Sequence, residues 1–548
     1  MVQANTGSNR PPNAGADTDV SAVGAPSRNG RRWPLLIILA VQAGLSVRLM
    51  AVSGLSNDEA LYLRIGHLEI AHWLHGSPAP PVTTFLSGSP VVYPPLGALA
   101  DSAAGLAGAR VLSLVFMLGA TALLWATASR LYSRAAAAWS AALFAVLASV
   151  IHVGSLATYD AMALFLVVLA AWCAIRLRAR WLVIAAVALV LANAAKYASA
   201  LFDPVVVAAA VLAPWSTAGR RPAILRGLML AGGVLALLGA VILLGGSSDW
   251  RGVLSTTLAR HQGPEPVGVV LGHALAWSWA VLIAALGGVA ISALGRQPRS
   301  RTALLAVFAG AGILAPAEQA RIHTLVSLDK HVAFGAWFAA IPAGYAVSYV
   351  TGALGARRTR GSATPGIGKG GRLPAAGPLP DAVRLPDAGR LPDAVRLPDA
   401  GRLAAGAGLV VIVFLAFLGV AQSEAMVGPD TTARLIPVLR PLTARQGHFL
   451  SDDARVDQYY LPGTMWSDWT AMRSKEAPTV TAGLISQLRR RYFTLVILSI
   501  ARKGSPEARV RGLLDHDSDY RLVATVPYSV PGHQRFLIWQ LRKRAGHQ

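Results

Sequence analysis

The stretch Ser56-Asn57-Asp58-Glu59-Ala60-Leu61-Tyr62 puts two adjacent carboxylates just past the first long apolar run of the chain. Ionisable groups beside hydrocarbon are costly, and those that persist there usually belong to a substrate or proton path. Asp58 and Glu59 are therefore the first candidates for chemistry. Further polar residues gather at the ends of later apolar runs: His152, Tyr159 and Asp160; Lys196 and Tyr197; Arg321, His323, Asp329, Lys330 and His331. Carboxylates mixed with cations at a water–lipid boundary suit a reaction between a lipid phosphate and a hydroxyl, in which the cations hold the phosphate and a carboxylate takes the proton.

Each of these residues also has a plainer role. Negative charge at Asp58 and Glu59 suits a helix start, Asp160 can cap a helix, and Lys196 and Lys330 can snorkel to the interface. Arg48 lies in the outer half of the first apolar run, where an unpaired cation is costly, so a carboxylate or a lipid phosphate should meet it. His67, His72 and His75 share a loop with Trp73 and read equally well as an interfacial amphipathic helix. No metal-ligand spacing rises above chance.

The elements that must position these groups are membrane helices. The chain has 548 residues, 54% hydrophobic and 14% charged, and a mean hydropathy of +0.48, which argues against a soluble globular protein. The net charge of +23 comes in small clusters between apolar runs rather than along one face, so nucleic acid is not the expected partner. Cys173 is the sole cysteine, which excludes an intramolecular disulfide and suits packing in an apolar run. Apolar runs near 33–54, 108–129, 136–153, 158–175, 181–195, 198–214, 227–246, 267–294, 302–317, 331–354 and 404–422 predict about eleven spans of roughly 20 residues each. With the N-terminus cytoplasmic, the arginines of the short loops all fall on one side, including Arg31, Arg134, Arg178, Arg221, Arg299 and Arg358. This positive-inside pattern makes the Asp58 loop extracytoplasmic in a multi-pass plasma-membrane protein.

The chain divides into a polar tail over 1–32, without a signal-peptide core, and a transmembrane module over 33–354 with an outer loop at 55–107. A linker follows over 355–403, then a last span at 404–423 and an outer domain over 424–548. The linker repeats Arg-Leu-Pro-Asp-Ala with Val or Gly; its regular prolines favour a disordered loop over a β-helix. In the outer domain, 494–499, 522–526 and 536–540 read as strands, and stretches around 480–491 and 506–515 as helices, giving a small α/β fold. Tyr459, Tyr460, Trp466 and Trp469 suit sugar stacking or core packing.

The order of motifs resembles a known family. Arg48-Leu49 closing the first span, Asp58-Glu59-Ala60-Leu61-Tyr62, Tyr93-Pro94-Pro95-Leu96, Gly108-Ala109-Arg110-Val111-Leu112-Ser113, Ala157-Thr158-Tyr159-Asp160-Ala161 and Lys196-Tyr197 are similar to the GT-C superfamily of membrane glycosyltransferases. The likeness is nearest to the protein O-mannosyltransferase and aminoarabinose-transferase branch, and is strongest over 33–215. It implies inverting transfer from a polyprenyl-phosphate sugar to a hydroxyl of an envelope glycan, lipid or protein on the outer face. Asp58 would be the general base, with Glu59 positioning it or binding sugar and Asp160 in the same catalytic set. Arg48, Lys196, Lys330 and His331 would hold the donor phosphate. Tyr62, Tyr93, Pro94, Pro95, Tyr159 and Tyr197 would shape the substrate cavity. A Lys usually precedes the Pro-Pro pair in the aminoarabinose branch; Tyr93 stands there in this chain, which counts against lipid A and that sugar. No cofactor follows from the residues, and a divalent cation, Mg or Mn, is left open. The competing expectations are a transporter or flippase of lipid-linked sugars, which should show an internal repeat and broken helices at the midplane, and a scaffold that binds through its outer domain.

Overall fold

The computed structural model describes residues 33–361, 399–472, 478–499, 505–529 and 534–542, apart from 80, 81, 84, 261 and 296. The tail and most of the repeat-bearing linker lie outside these residues.

The chain enters the bilayer as α1 (Trp33–Val52), turns at Ser53–Ser56 and forms α2 (Asn57–His75). Ser56 caps α2 with a reciprocal box: its hydroxyl accepts from the Glu59 N–H, and the Glu59 carboxylate accepts from the Ser56 N–H. Two otherwise orphaned donors are thereby satisfied, fixing where the helix starts. A long helical element, α3 (Tyr93–Leu131), broken by non-helical backbone at Ala104 and Gly105, opens with Pro94 and Pro95 in its first turn, where proline costs no hydrogen bond. Helices α2 and α3 approach closely because residue 66 is glycine; a Cβ there would stand 1.9 Å from the Pro94 carbonyl oxygen.

The bundle continues through α4 (Arg134–Ala145), α5 (Ala148–Ser155), α6 (Tyr159–Ala174), α7 (Ala179–Ala195), α8 (Asp203–Leu212), α9 (Trp215–Ala218) and α10 (Arg220–Val253). After a loop come α11 (Val267–Leu294), α12 (Arg299–Arg321), α13 (Leu328–Gly361) and α14 (Asp399–Glu424). Among the described residues, eight helical segments are long and apolar enough to cross a membrane. The pair α4 and α5, bent by 67°, makes a ninth, while α6 and α7 are apolar but only 16 and 17 residues long. Each of the eleven apolar runs is helical. Most of these helices are not themselves amphipathic. Their buried sides meet in one core around Leu124, Phe144, Phe308, Trp337 and Phe338, and the Trp337 indole donates to the Ala120 carbonyl at 2.9 Å. Small residues let backbones touch there, as at Gly335, where a Cβ would lie 2.5 Å from Ala311 O. Leu36, Leu243, Leu244 and Phe417 point outward, as lipid-facing side chains do.

The C-terminal domain is a sandwich of helices about a five-stranded sheet of order β2-β1-β3-β5-β4. Its elements are α15 (Leu435–Leu442), β1 (Phe449–Ser451), α16 (Ala454–Tyr460), β2 (Trp469–Ala471), α17 (Pro478–Arg489), β3 (Leu495–Ser499), α18 (Pro506–Leu514), β4 (Tyr520–Pro527) and β5 (Arg535–Leu541). Strands β1, β2 and β3 run parallel, and β5 is antiparallel to both β3 and β4. The three strands expected from sequence are β3, β4 and β5. Helices α15 and α16 pack on one face through Leu435, Leu439 and Ala454, and α17 and α18 on the other through Leu484, Leu488 and Val510. The domain is fastened to the membrane module: Arg64 of α2 donates to the carbonyls of Pro462 and Thr464, at 3.1 and 2.9 Å, and Tyr459 donates to Asp101 at 2.7 Å.

Candidate active site

The residues expected to do chemistry converge at the ends of α2, α6, α7 and α13. Asp58 sits in the first turn of α2, and Lys330 of α13 donates to its Oδ2 at 2.5 Å across 272 positions of sequence. Asp58 is 38% exposed and Lys330 only 7%. Lys330 also stands 3.9 Å from Oδ2 of Asp160, whose other oxygen accepts from Lys196. Asp160 is fully buried, and its Oδ2 has no hydrogen-bond partner. Two carboxylates and two ammonium groups thus alternate in a chain from the open edge inward, which offsets the cost of burying each charge alone.

Aromatic side chains brace this chain. The Lys196 ammonium lies 4.8 Å from the centroid of the Tyr159 ring, and the Tyr62 and Tyr159 rings are 4.3 Å apart. Lys196 and Tyr197 are held in place by the loop before α3: Ser89 N–H donates to Ala194 O at 2.7 Å, and Tyr197 N–H to Ser87 O at 3.0 Å. His331 receives the Gln319 amide on Nδ1 at 2.6 Å, while its Nε2 is buried without a partner. His152 of α5 pairs with Asp329 at 2.8 Å.

Three cavities meet at this cluster. One of about 310 Å³ has cationic and polar groups from Lys196, Arg260, Gln319 and His331 beside apolar walls of Leu201, Phe202 and Phe334. A second, of about 250 Å³, joins Asp58, Tyr62 and Tyr159 to Lys196, His331 and Arg455. The third, of about 420 Å³, is polar, with Asp58, Asp329, Lys330, Asp430, Thr432 and Asp453 on its walls. Met426 to Thr432, the segment after α14, forms part of that wall; Gly54 N–H donates to Gly428 O at 2.9 Å.

Three expectations are corrected, the first only in its sugar-binding alternative. Glu59 does not face these cavities. It is fully buried and accepts from Arg110 twice, at 2.8 and 3.0 Å, from Ala157 N–H at 2.8 Å and from Ser56 N–H at 3.0 Å. Arg110 spends its remaining donors on the carbonyls of Met50, Ser53 and Gly54. This fork–fork pair fixes the turn that carries Asp58 and leaves no acceptor free for a sugar. Arg48 is the second correction: it pairs with Glu424 of α14, half-exposed, and lines none of the three cavities. Third, Tyr93, Pro94 and Pro95 are buried behind the cavities, where Tyr93 packs in a cluster with Tyr62 and Tyr159. Residues 57–75 form a regular helix, one of the two forms expected for the stretch with His67, His72 and His75; His67 pairs with Asp101 at 2.7 Å and His72 with Ser77 O at 2.7 Å.

Sequence reasoning passed over Arg110 as a ligand of Glu59, and Arg260 and Arg455 as cavity residues. A buried Arg in an apolar run is itself a signal, since it must find acceptors; Arg260 lies in a loop and Arg455 in the polar helix α16, and neither carries one. Among the described residues no group of three or more His, Cys, Asp or Glu side chains could hold a metal ion. The carboxylates of Asp58 and Asp160 are both engaged by lysine.

Solved structures share this architecture. ArnT from Cupriavidus metallidurans bound to undecaprenyl phosphate superposes with a TM-score of 0.56 at 16% identity, over 95% of this chain and 100% of that one. The chain has the GT-C fold. The Archaeoglobus fulgidus oligosaccharyltransferase in the apo form matches at a TM-score of 0.53 and 12% identity, over 86% of this chain and 70% of that one. Arabinofuranosyltransferase AftD from Mycobacteria matches at 0.50 and 14% identity, over 95% of this chain and 42% of the longer AftD chain. No family model and no curated protein sequence matches. The GT-C fold therefore stands on geometry rather than on sequence identity, in agreement with the fold that the ordered motifs imply.

Proposed function

We propose that the protein is a membrane glycosyltransferase that moves a sugar from a polyprenyl-phosphate donor to a hydroxyl of an envelope glycan, lipid or protein, on the extracytoplasmic side. The observation that carries this reading is the Asp58–Lys330 pair, which lines the polar cavity, with Asp58 also on the wall of a second that reaches Lys196 and His331; those two residues in turn line the third, apolar-walled cavity. The apolar one, with its cations, suits a phosphate on a hydrocarbon chain. The polar one suits a hydroxyl-rich acceptor. ArnT, with the same fold, was solved with undecaprenyl phosphate bound, and the arginine-rich inner loops favour the outward orientation.

In this reading the donor phosphate settles among Lys196, Arg260 and His331 and draws Lys330 away from Asp58. The freed Asp58 carboxylate takes the proton of the acceptor hydroxyl as its oxygen attacks the anomeric carbon from the face opposite the phosphate. The bond from that carbon to the phosphate oxygen breaks, its electron pair stays on the phosphate, and polyprenyl phosphate leaves with its charge met by the lysines. The configuration at the anomeric carbon inverts. Asp160 holds Lys196 and steadies Lys330, so it positions the cations rather than touching the reacting atoms. The test uses membranes carrying the protein and a radiolabelled polyprenyl-phosphate sugar: label should move to an envelope acceptor. Transfer that persists undiminished in Asp58→Ala would remove Asp58 from the mechanism, and carrier-only movement of the intact donor across the bilayer would replace the reading by a flippase.

A further inference from the structure

A separate cavity lies in the C-terminal domain, and at about 750 Å³ it exceeds each of those beside Asp58. It forms where α15 stops short of the sheet. The face bearing Leu495, Ile497 and Ile538 is covered by Leu435 and Leu439 of α15. That helix ends at Leu442. The next rung, where Arg521 of β4 opposes Gln540 of β5, is left uncovered. Arg445 and Gln446, just past α15, close the facing side, while Thr494 and Arg542 close the ends.

Three arginines therefore line one concavity, with no carboxylate among its walls. Among the described residues none of the three makes an ion pair, and the nearby Asp519 is taken by Arg491. Guanidinium forks match carboxylate and phosphate oxygens two at a time. The Gln446 and Gln540 amides add hydrogen-bonding groups suited to a polyol, and Leu442 adds the apolar contact that the C–H face of a sugar ring makes. A planar bilayer cannot enter a concavity of this size, whereas a chain can.

We propose that this groove binds an acidic glycan, through carboxylate or phosphate groups on its sugars. The assignment stands whether or not the site around Asp58 transfers sugar. The test measures binding of hexagalacturonate and of uncharged maltohexaose to the full-length protein in phosphatidylcholine nanodiscs. Hexagalacturonate should bind at least tenfold more tightly than maltohexaose, with an affinity that falls as salt rises. The difference should vanish in R445Q/R521Q/R542Q, a variant of exposed side chains whose unfolding temperature should match the wild type. If that variant is misfolded, hydrogen exchange in the wild type decides: hexagalacturonate should protect residues 520–522 and 540–542. Equal binding of the two hexasaccharides, binding that the triple variant retains, or protection seen only with phosphatidylglycerol in the nanodisc would each overturn the proposal.

Discussion

Asp58 is held in reserve by its partner. In the proposed reaction a carboxylate bonded to Lys330 is a poor proton acceptor, and donor phosphate is what releases it. Replacing Asp58 by Asn keeps the shape and removes the base, so transfer should fall by roughly 10²–10⁴-fold while the unfolding temperature of the detergent-solubilised protein changes little. Lys196 gives the opposite signature. Lys196→Met strands the buried Asp160 carboxylate and should destabilise by about 3–5 kcal/mol, whereas Lys196→Met combined with Asp160→Asn should recover most of that loss. Thermal unfolding of the single and double variants checks both. Arg48, paired with Glu424 at a half-exposed position, should tolerate Ala with less than about 1 kcal/mol lost and transfer close to wild type. The charged residues of the site were legible in the sequence because charges in apolar surroundings are rare. Their pairing was not: nothing in the chain announces that Lys330 reaches Asp58 rather than a phosphate, or that all the acceptor capacity of Glu59 is spent on Arg110 and two backbone amides.

At the scale of elements, the turn before α2 is where local chemistry sets functional geometry. Ser56-Asn57-Asp58-Glu59 is a capping box, a pattern visible in sequence, and it explains why Asp58 rather than Glu59 faces the cavities: the third helical position is committed to the cap. Ser56→Ala should cost about 1 kcal/mol. Glu59→Gln, which breaks the charged fork with Arg110, should cost more and lower transfer by loosening the turn; paired measurements of unfolding and of transfer rate would distinguish it from Asp58→Asn, which affects rate alone. The lengths of α6 and α7 matter for the same site. At 16 and 17 residues they extend about 24 and 26 Å, short of a hydrocarbon core of roughly 30 Å. Helices this short can leave Asp160, at the start of one, and Lys196, at the end of the other, below the level of the headgroups. The eleven apolar runs and the three longer strands were readable from composition and periodicity. Strands β1 and β2 were not, because three residues carry too little alternation to be seen.

For the whole molecule, the C-terminal domain carries a largely buried acidic cluster of Asp452, Asp453 and Asp457, of which Asp453 reaches the polar cavity. Burial, with Asp453 alongside, pushes the Asp452 carboxyl up to about 6 against the opposing hydrogen bonds from Ser499; burial also raises Asp453 and Asp457. A carboxyl whose folded-state value exceeds the unfolded value of about 3.9 favours the folded state while protonated. Its contribution is complete below about pH 4 and lost as pH rises through 6, a change of about 3 kcal/mol. The domain should therefore unfold at a lower temperature at pH 7.5 than at pH 5, and Asp452→Asn should flatten that dependence. Fluorescence-monitored melting of the full-length protein across this range provides the check; a wild-type melting temperature that rises with pH would contradict it.

The segment Met426 to Thr432 is at once the tether of the C-terminal domain and a wall of the cavity beside Asp58. If the polar cavity holds the acceptor, as proposed, acceptor preference cannot be transplanted by splicing a foreign domain at the end of α14. Such a chimera would keep the donor side intact and arrive with a mismatched wall. A workable graft has to carry Met426 to Thr432 together with the Gly54 to Asn57 turn it is laced to.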